Sequence, residues 1–291
     1  MGRLTVLDGG WFTTLQDAGR SGYRRFGVPE SGALDRIAYR QANRLVGNTG
    51  HEAVLECTLK GGAYVFHDDA YVAVTGADIP VSVDDKSAGM NQSFIIKAGQ
   101  TLELGAVRKG CRVYVGIAGG LTVPQLFGSR STLPAVGIGG HEGRPLKTGD
   151  ELKWEEPLRQ VQEQRLKTRE LRYFSSRLTI PVYKGPEWEW LSSPARNTLF
   201  NQPFVIQSQS NRMGVRLKGE SLLLTDKTEM RSSPVVPGTI QLPSGGHPII
   251  LLYDGQTTGG YPRIGRIAER DLPWIAQMPP GSILRFGQDF A

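Results

Sequence analysis

The sequence predicts a mainly β protein in two strand-rich halves, with a few short helices. Three observations carry this. Glycine and proline number 37 and 18 in 291 residues, about one position in five, so turns interrupt the chain too often for long helices. Short runs of β type alternate with turn signals, the pattern of closed barrels and sandwiches. A charged stretch at 155–176, EEPLRQVQEQRLKTRELRYFSS, lacks an apolar stripe of core width. It divides the chain into an N-terminal half, residues 1–155, a charged linker, 156–176, and a C-terminal half, 177–291.

Leu4 to Leu7 reads as a first strand. Residues 13–35 (TTLQDAGRSGYRRFGVPESGALD) follow. Gly19, Gly22, Gly27, Gly32 and Pro29 exclude a long helix there. Gln16, Asp17, Arg20, Tyr23, Arg24 and Arg25 are too polar for a core. Such a loop is either an anion cradle built on Arg forks or a solvated surface loop. Leu34, Ile37, Ala38, Ala42, Leu45 and Val46 then fall on one helical face. The spacing predicts a helix near 33–47, with Ser31 able to cap it, Asp35 suited to its positive end and Gly47-Asn48 able to stop it.

From Ala53 to Ala118 the runs AVLECTL, AYVF, YVAVTG, IPVSV, SFIIK, TLEL and CRVYVGIA read as strands. Gly128-Ser129-Arg130-Ser131-Thr132 resembles an anion-binding turn, a capping turn being the alternative. In the second half, LTIPVYKG, FVIQSQS and SILRF read as strands and TDKTEMRSS as a charged patch. Arg212 and Arg216 stand four apart among polar residues. Ile249 to Tyr253 is a continuous apolar run, a strand buried on both faces. Asp254, Gln256, Thr257 and Thr258 follow it at once, with Gly255, Gly259 and Gly260 between and after them. That is a ligand site on a rigid wall or a polar hairpin turn.

Several function classes lose support. No run approaches the ~18 apolar residues of a membrane helix, and no signal peptide stands at the N-terminus; a soluble cytoplasmic protein is expected. Cys57 and Cys111 lie apart in apolar runs, which predicts buried thiols rather than a disulfide or metal ligands. The four histidines are isolated, so no metal site is expected. The net charge of +6 is scattered, which suits an anion or an acidic partner better than nucleic acid. No GxxxxGK[ST] occurs, Gly137-Ile138-Gly139 lacks the third glycine of GxGxxG, and Gly19-Arg20-Ser21-Gly22 is not GxSxG.

Read together, TLQDAGRSGYRRFGVPESGALD and ANRLVGN resemble the N-terminal signature of the allophanate hydrolase subunit 2 family, also called biotin-dependent carboxyltransferase-like, which includes the KipA-type C component of 5-oxoprolinase. VTGAD at 74–78, VGIAGGL at 115–121, GSRST at 128–132, GGHEGRPLKTGD at 139–150, SNRMGVRLKG at 210–219 and DGQTTGGYPRIG at 254–265 follow in the family's order. The resemblance covers essentially the whole chain. It implies two cyclophilin-like β-barrel halves and an ATP-dependent 5-oxoprolinase complex that cleaves 5-oxo-L-proline to L-glutamate. It also implies two partners, a KipI-like subunit (the B component of 5-oxoprolinase) and a LamB/YcsF-type subunit (its A component). Alternatives are a regulatory protein antagonising a KipI-like kinase inhibitor, and a carboxyltransferase-type subunit that works on a urea-like substrate. No Met-Lys biotinylation motif occurs, so covalent biotin is not expected; ATP is used by the complex.

Opening a lactam needs a cation for its carboxylate, donors for the developing oxyanion, and a base or water positioner. The residues expected to supply these are Asp17 and Asp254 as catalytic groups. Gln16, Arg20, Tyr23, Arg130, Ser131, Arg212, Gln256, Thr257, Thr258 and Tyr261 are expected to bind substrate. On this reading Arg20→Ala or Arg212→Ala weakens an anionic substrate and leaves the fold intact.

Overall fold

The computed structural model describes residues 1–157, 161–225 and 230–288. Parts of the charged stretch at 155–176 and of TDKTEMRSS at 225–233 therefore lie outside the described residues. The chain divides into two compact units, one of Met1–Ser21 with Ser31–Phe174 and one of Gly22–Glu30 with Ser175–Ala291.

The first unit holds a seven-stranded and a five-stranded sheet. In the larger sheet Gly2–Asp8 pairs antiparallel with Glu151–Trp154 and with Ala63–Phe66, and the sheet continues through Thr101–Leu104 to Val81–Val83. The smaller sheet runs Thr13–Gln16, Val54–Thr58, Lys109–Ile117, Ala70–Asp78, Ser93–Ile96, each antiparallel to its neighbour. Leu4, Val6, Tyr64 and Phe66 from the first share one core with Leu15, Leu55, Val72 and Val113 from the second. Alternation in Gly2–Asp8 sends Leu4 and Val6 inward and Arg3 outward. The strands of this unit are thus split between two sheets over one core, while the continuous ring of a barrel is found in the second unit.

Helix α1, Arg36–Leu45, buries Ala38, Tyr39, Ala42 and Leu45. Its N-cap is Asp35, whose Oδ1 accepts from the amides of Ile37 and Ala38. Ser31 does not cap it. Ser31 sits in the left-handed region at φ 55° and donates its hydroxyl to the Thr132 carbonyl. The helix starts late because Leu34 and Asp35 are already engaged by strands: the Leu34 amide donates to Glu56 and the Asp35 amide to the Tyr114 hydroxyl.

The charged stretch is not a free-standing connector. Val161 and Leu166 are buried with Leu45, Ala73 and Ala118, and Arg172 donates to both Asp35 carboxylate oxygens at 2.6 Å. Two apolar residues are too few to mark a stripe, yet enough to lay the segment against the first unit.

Asp150 staples the end of this unit. It accepts from Arg144 at 2.7 and 2.8 Å and from the Lys147 amide at 2.9 Å, with His141 Nε2 at 3.3 Å. The Arg144 hydrogen bonds hold its carboxyl far below the usual carboxylate range. A lowered folded pKa stabilises above the unfolded value, near 4, and the gain is lost as pH falls through the folded one. Hydrogen exchange of residues 144–150 is therefore expected to accelerate below about pH 4. Asp150→Asn should make that exchange fast at neutral pH, costing about 1.5–3 kcal/mol, and should flatten its acid dependence.

The second unit is a closed barrel ordered Arg177–Lys184, Arg263–Arg266, Thr239–Gln241, Ile249–Leu251, Gly214–Lys218, Phe204–Ile206, Ile283–Gln288. The ring closes where Ile283–Gln288 pairs in parallel with Arg177–Lys184. Ile180, Val182, Phe204, Leu217, Ile240, Ile250, Ile264, Leu284 and Phe286 are buried. The apolar run at 249–253 is strand only as far as Leu251; Leu252 and Tyr253 stay buried beyond it. Helix α2, Ser193–Asn201, is capped by the Ser192 hydroxyl and carries proline in its first turn. Residues 22–30 belong to this unit through Arg24, whose Nη2 donates to the carbonyls of Val235 at 2.5 Å and Gln256 at 3.3 Å.

No helix among the described residues is long and apolar enough to cross a membrane. Cys57 and Cys111 are buried and outside any disulfide, and burial pushes the Cys57 thiol up to about 11, which makes it a poor nucleophile.

Candidate functional site

In the first unit the strand Thr13–Gln16 delivers Gln16 and Asp17 to the turn Ser129–Thr132. Asp17 is 5% exposed. Its Oδ1 accepts from the Gly19 amide at 2.8 Å, the Ser129 hydroxyl at 2.7 Å and the Ser131 hydroxyl at 2.5 Å, and its Oδ2 accepts from the Arg130 amide at 2.5 Å. The Asp17 amide returns a bond to Ser131 Oγ at 2.9 Å, and the Ser131 amide donates to Ser129 Oγ at 3.0 Å. The turn at 128–132 does cradle an anion, but the anion is the protein's own carboxylate.

Arg20 is fully buried and its Nη2 donates to the Ser131 carbonyl. Gly139, at φ +67°, passes so close that a Cβ there would meet that carbonyl at 2.2 Å and Arg20 Nη2 at 2.3 Å, so only glycine fits. Gln16, also fully buried, donates to Thr14 Oγ1 at 2.9 Å and the Thr132 carbonyl at 3.0 Å, and its Oε1 has no partner among the described residues. Arg130 joins the cluster by its backbone alone; its side chain is half-buried and leads elsewhere.

The second unit gathers the rest. Asp254, just beyond the buried strand Ile249–Leu251, takes Arg212 Nε at 2.8 Å and Nη2 at 3.0 Å, a two-pronged pair with side chains 6% and 2% exposed. The Asp254 amide donates to the Arg212 carbonyl at 3.2 Å. Gln256 Nε2 donates to Gln241 Oε1 at 3.0 Å, and Gln241 Nε2 reaches the Tyr261 carbonyl at 3.4 Å. Thr257 is half-buried and its carbonyl accepts from Val235; Thr258 is exposed in the short strand Thr258–Gly259. Tyr261 is 48% exposed. Tyr23 precedes the single turn Arg24–Phe26, its carbonyl accepting from the Phe26 and Val28 amides.

The twelve expected residues therefore fall into one group within each unit. Gln16, Asp17, Arg20, Arg130 and Ser131 stand in the first. Tyr23, Arg212, Asp254, Gln256, Thr257, Thr258 and Tyr261 stand in the second. The expectation that Arg20→Ala and Arg212→Ala leave the fold intact is corrected. Both side chains are buried and bonded to the chain, so removing either one strips a partner from a buried group.

Ser129 and Thr132, read in the sequence as part of the turn but not as site residues, bind Asp17 and Gln16. Three features went unread in the sequence. Glu187 holds Arg263 in a two-pronged pair at 2.7 and 2.8 Å, which keeps the Glu187 carboxyl below its usual range. Gln241 anchors Gln256. Glu56, 1% exposed, accepts from the Tyr114 hydroxyl at 2.7 Å, which ties it to the cap of α1. A carboxylate inside the apolar run VLECT was the available signal for the last of these, since buried charges are rarely without partners. Among the described residues no cluster of histidine, cysteine and carboxylate side chains is arranged to hold a metal.

Comparison with known proteins gives a consistent picture. Residues 26–288 match the family described as carboxyltransferase domain, subdomain A and B. The chain is 40% identical to the C component of 5-oxoprolinase from Escherichia coli K12, over 98% of this chain and 91% of that one. It is 34% identical to the same component from Haemophilus influenzae, over 97% and 90%. The crystal structure of the Kluyveromyces lactis urea amidolyase superposes with a TM-score of 0.92 at 32% identity, covering 98% of this chain but only 18% of that much longer one. Barrel, paired sheets and sequence alike place the chain in the carboxyltransferase domain family of subdomains A and B.

Proposed function

We propose that the chain is the C-type component of an ATP-dependent 5-oxoprolinase complex that cleaves 5-oxo-L-proline to L-glutamate. The carrying observation is the near end-to-end match, in both directions, to the C component of the E. coli 5-oxoprolinase. In this reading ATP transfers a phosphoryl group to the lactam oxygen and ADP leaves, a first water adds at the carbonyl carbon, the C–N bond breaks to give an acyl phosphate, and a second water hydrolyses that to glutamate and phosphate.

ATP belongs to the complex rather than to the turn at 128–132. The Gly19, Arg130 and Ser131 amides that would cradle a phosphate are taken by Asp17 and Ser129, so this turn has no amides left for a nucleotide. Asp17 and Asp254, proposed from the sequence as catalytic groups, act as positioning residues: one shapes the turn that carries Arg130, the other aims Arg212. The Thr257 and Thr258 hydroxyls, half-buried and exposed, are the groups offered to a polar substrate in the second unit.

A KipI-like subunit together with a LamB/YcsF-type subunit supplies the remaining groups. The test is glutamate release from 5-oxoproline with the three proteins singly, in pairs and together. ATP-dependent turnover is expected only in the full mixture. Robust turnover by this chain alone overturns the partner requirement; tight binding of the KipI-like subunit with no turnover in the full mixture favours the regulatory role. The likeness to the K. lactis urea amidolyase supports a second reading, a carboxyltransferase-type role on a urea-like substrate, which the same mixture tests with urea in place of 5-oxoproline.

A further inference from the structure

A pocket of about 370 Å³ opens in the first unit between residues 47–52, which follow α1, the turn at 119–122, and residues 155–156. Arg130 lines it. The Nε of Arg130 is buried with no hydrogen-bond partner, and among the described residues the guanidinium pairs with no carboxylate. Yet the same pocket holds Glu52, Glu155 and Glu156.

These acids differ in availability. Glu52 is wrapped by its own loop, accepting from the Thr49 amide and hydroxyl and from the Gly50 and His51 amides at 2.7–3.0 Å. Glu156 pairs with the N-terminal ammonium at 2.9 Å. Glu155 is exposed at the rim and its carboxylate has no partner among the described residues. Gly119 and Gly120 pack tightly against their neighbours: a Cβ on Gly120 would meet Glu52 Cβ at 2.4 Å, and one on Gly119 the Glu155 carbonyl at 1.8 Å.

Charge decides what such a pocket takes. A simple anion meets Arg130 but also a surplus of carboxylates; a simple cation is repelled by Arg130. A molecule carrying both charges satisfies both, its carboxylate in the guanidinium fork and its ammonium toward the rim. The volume lies at the small end of ligand pockets. We propose that this pocket binds a small zwitterion of the α-amino-acid type, with its carboxylate on Arg130 and its ammonium toward Glu155. Occupancy is read on the isolated chain, so it stands or falls apart from any turnover by a complex.

The experiment is titration of the ¹⁵N-labelled full chain with L-glutamine, glutarate and 1,4-diaminobutane, which carry both charges, only carboxylates and only ammonium groups. L-Glutamine is expected to saturate, with shifts confined to residues 47–52, 119–122, 130 and 155–156. Arg130→Gln, which keeps the backbone bond to Asp17, should weaken it at least about tenfold, and Glu155→Gln severalfold. If Arg130→Gln loses its native spectrum, Glu155→Gln, at an exposed position, carries the test. No saturation by L-glutamine, equal binding of glutarate, or unaltered binding by the folded variants overturns the proposal.

Discussion

Asp254→Ala is expected to lower the stability of the second unit by about 3–5 kcal/mol, because it removes the carboxylate that the buried Arg212 guanidinium grips through two prongs. The pair is 6% and 2% exposed and bonded through two prongs, so water cannot replace the lost partner. Asp254 also joins the end of Ile249–Leu251 to Arg212, just before Gly214–Lys218, through the backbone. The loss should therefore appear as faster hydrogen exchange in both strands. Replacing both partners with apolar side chains, Arg212→Met with Asp254→Leu, should recover much of the loss, since the buried ion pair is then exchanged for apolar packing. A double variant no more stable than Asp254→Ala would show that shape rather than charge holds this corner. Asp254→Ala as stable as the parent would show that the pair contributes nothing.

Asp17→Asn is the second large effect. The carboxylate is surrounded by four donors, and each of its oxygens meets a backbone amide, Gly19 at Oδ1 and Arg130 at Oδ2. An asparagine NH₂ placed there opposes at least one N–H or O–H, leaving buried donors unsatisfied at about 1–3 kcal/mol each. Exchange of the Arg130 and Gly19 amides should rise by about two orders of magnitude, the equivalent of about 3 kcal/mol. Ser129→Ala removes one of the four bonds and should cost about 1 kcal/mol. Equal effects from the two substitutions would sink the idea that Asp17 is the hub of the turn.

The strand-rich character, the helix after residue 33 and the buried thiols follow from local chemistry. Turn formers every few residues limit element length, and the apolar face of RIAYRQANRL has one way to point. The same local logic located the two motif groups. Gln16-Asp17 and Ser129–Thr132 were each visible as polar, glycine-flanked stretches beside apolar runs. So was Asp254, set directly after a buried strand.

What those groups do was decided by contacts between residues distant in the chain. From the sequence, GSRST was a turn ready for an outside anion; in the fold, Asp17 fills it. Arg212 was a candidate for substrate and is committed to Asp254. Ser31 and Asp35 were both fit to cap α1, and Glu56 and Tyr114, by engaging the residues between them, passed the role to Asp35. Residues 22–30 left the first unit because Arg24 found two carbonyls in the second. Sequence pattern by itself determined which residues are polar where the chain is otherwise buried. Only tertiary structure decided whether each such group is met by the protein's own partners or, as at Arg130 Nε, by none among the described residues, because a hydrogen bond depends on direction and distance, which spacing along a chain does not record.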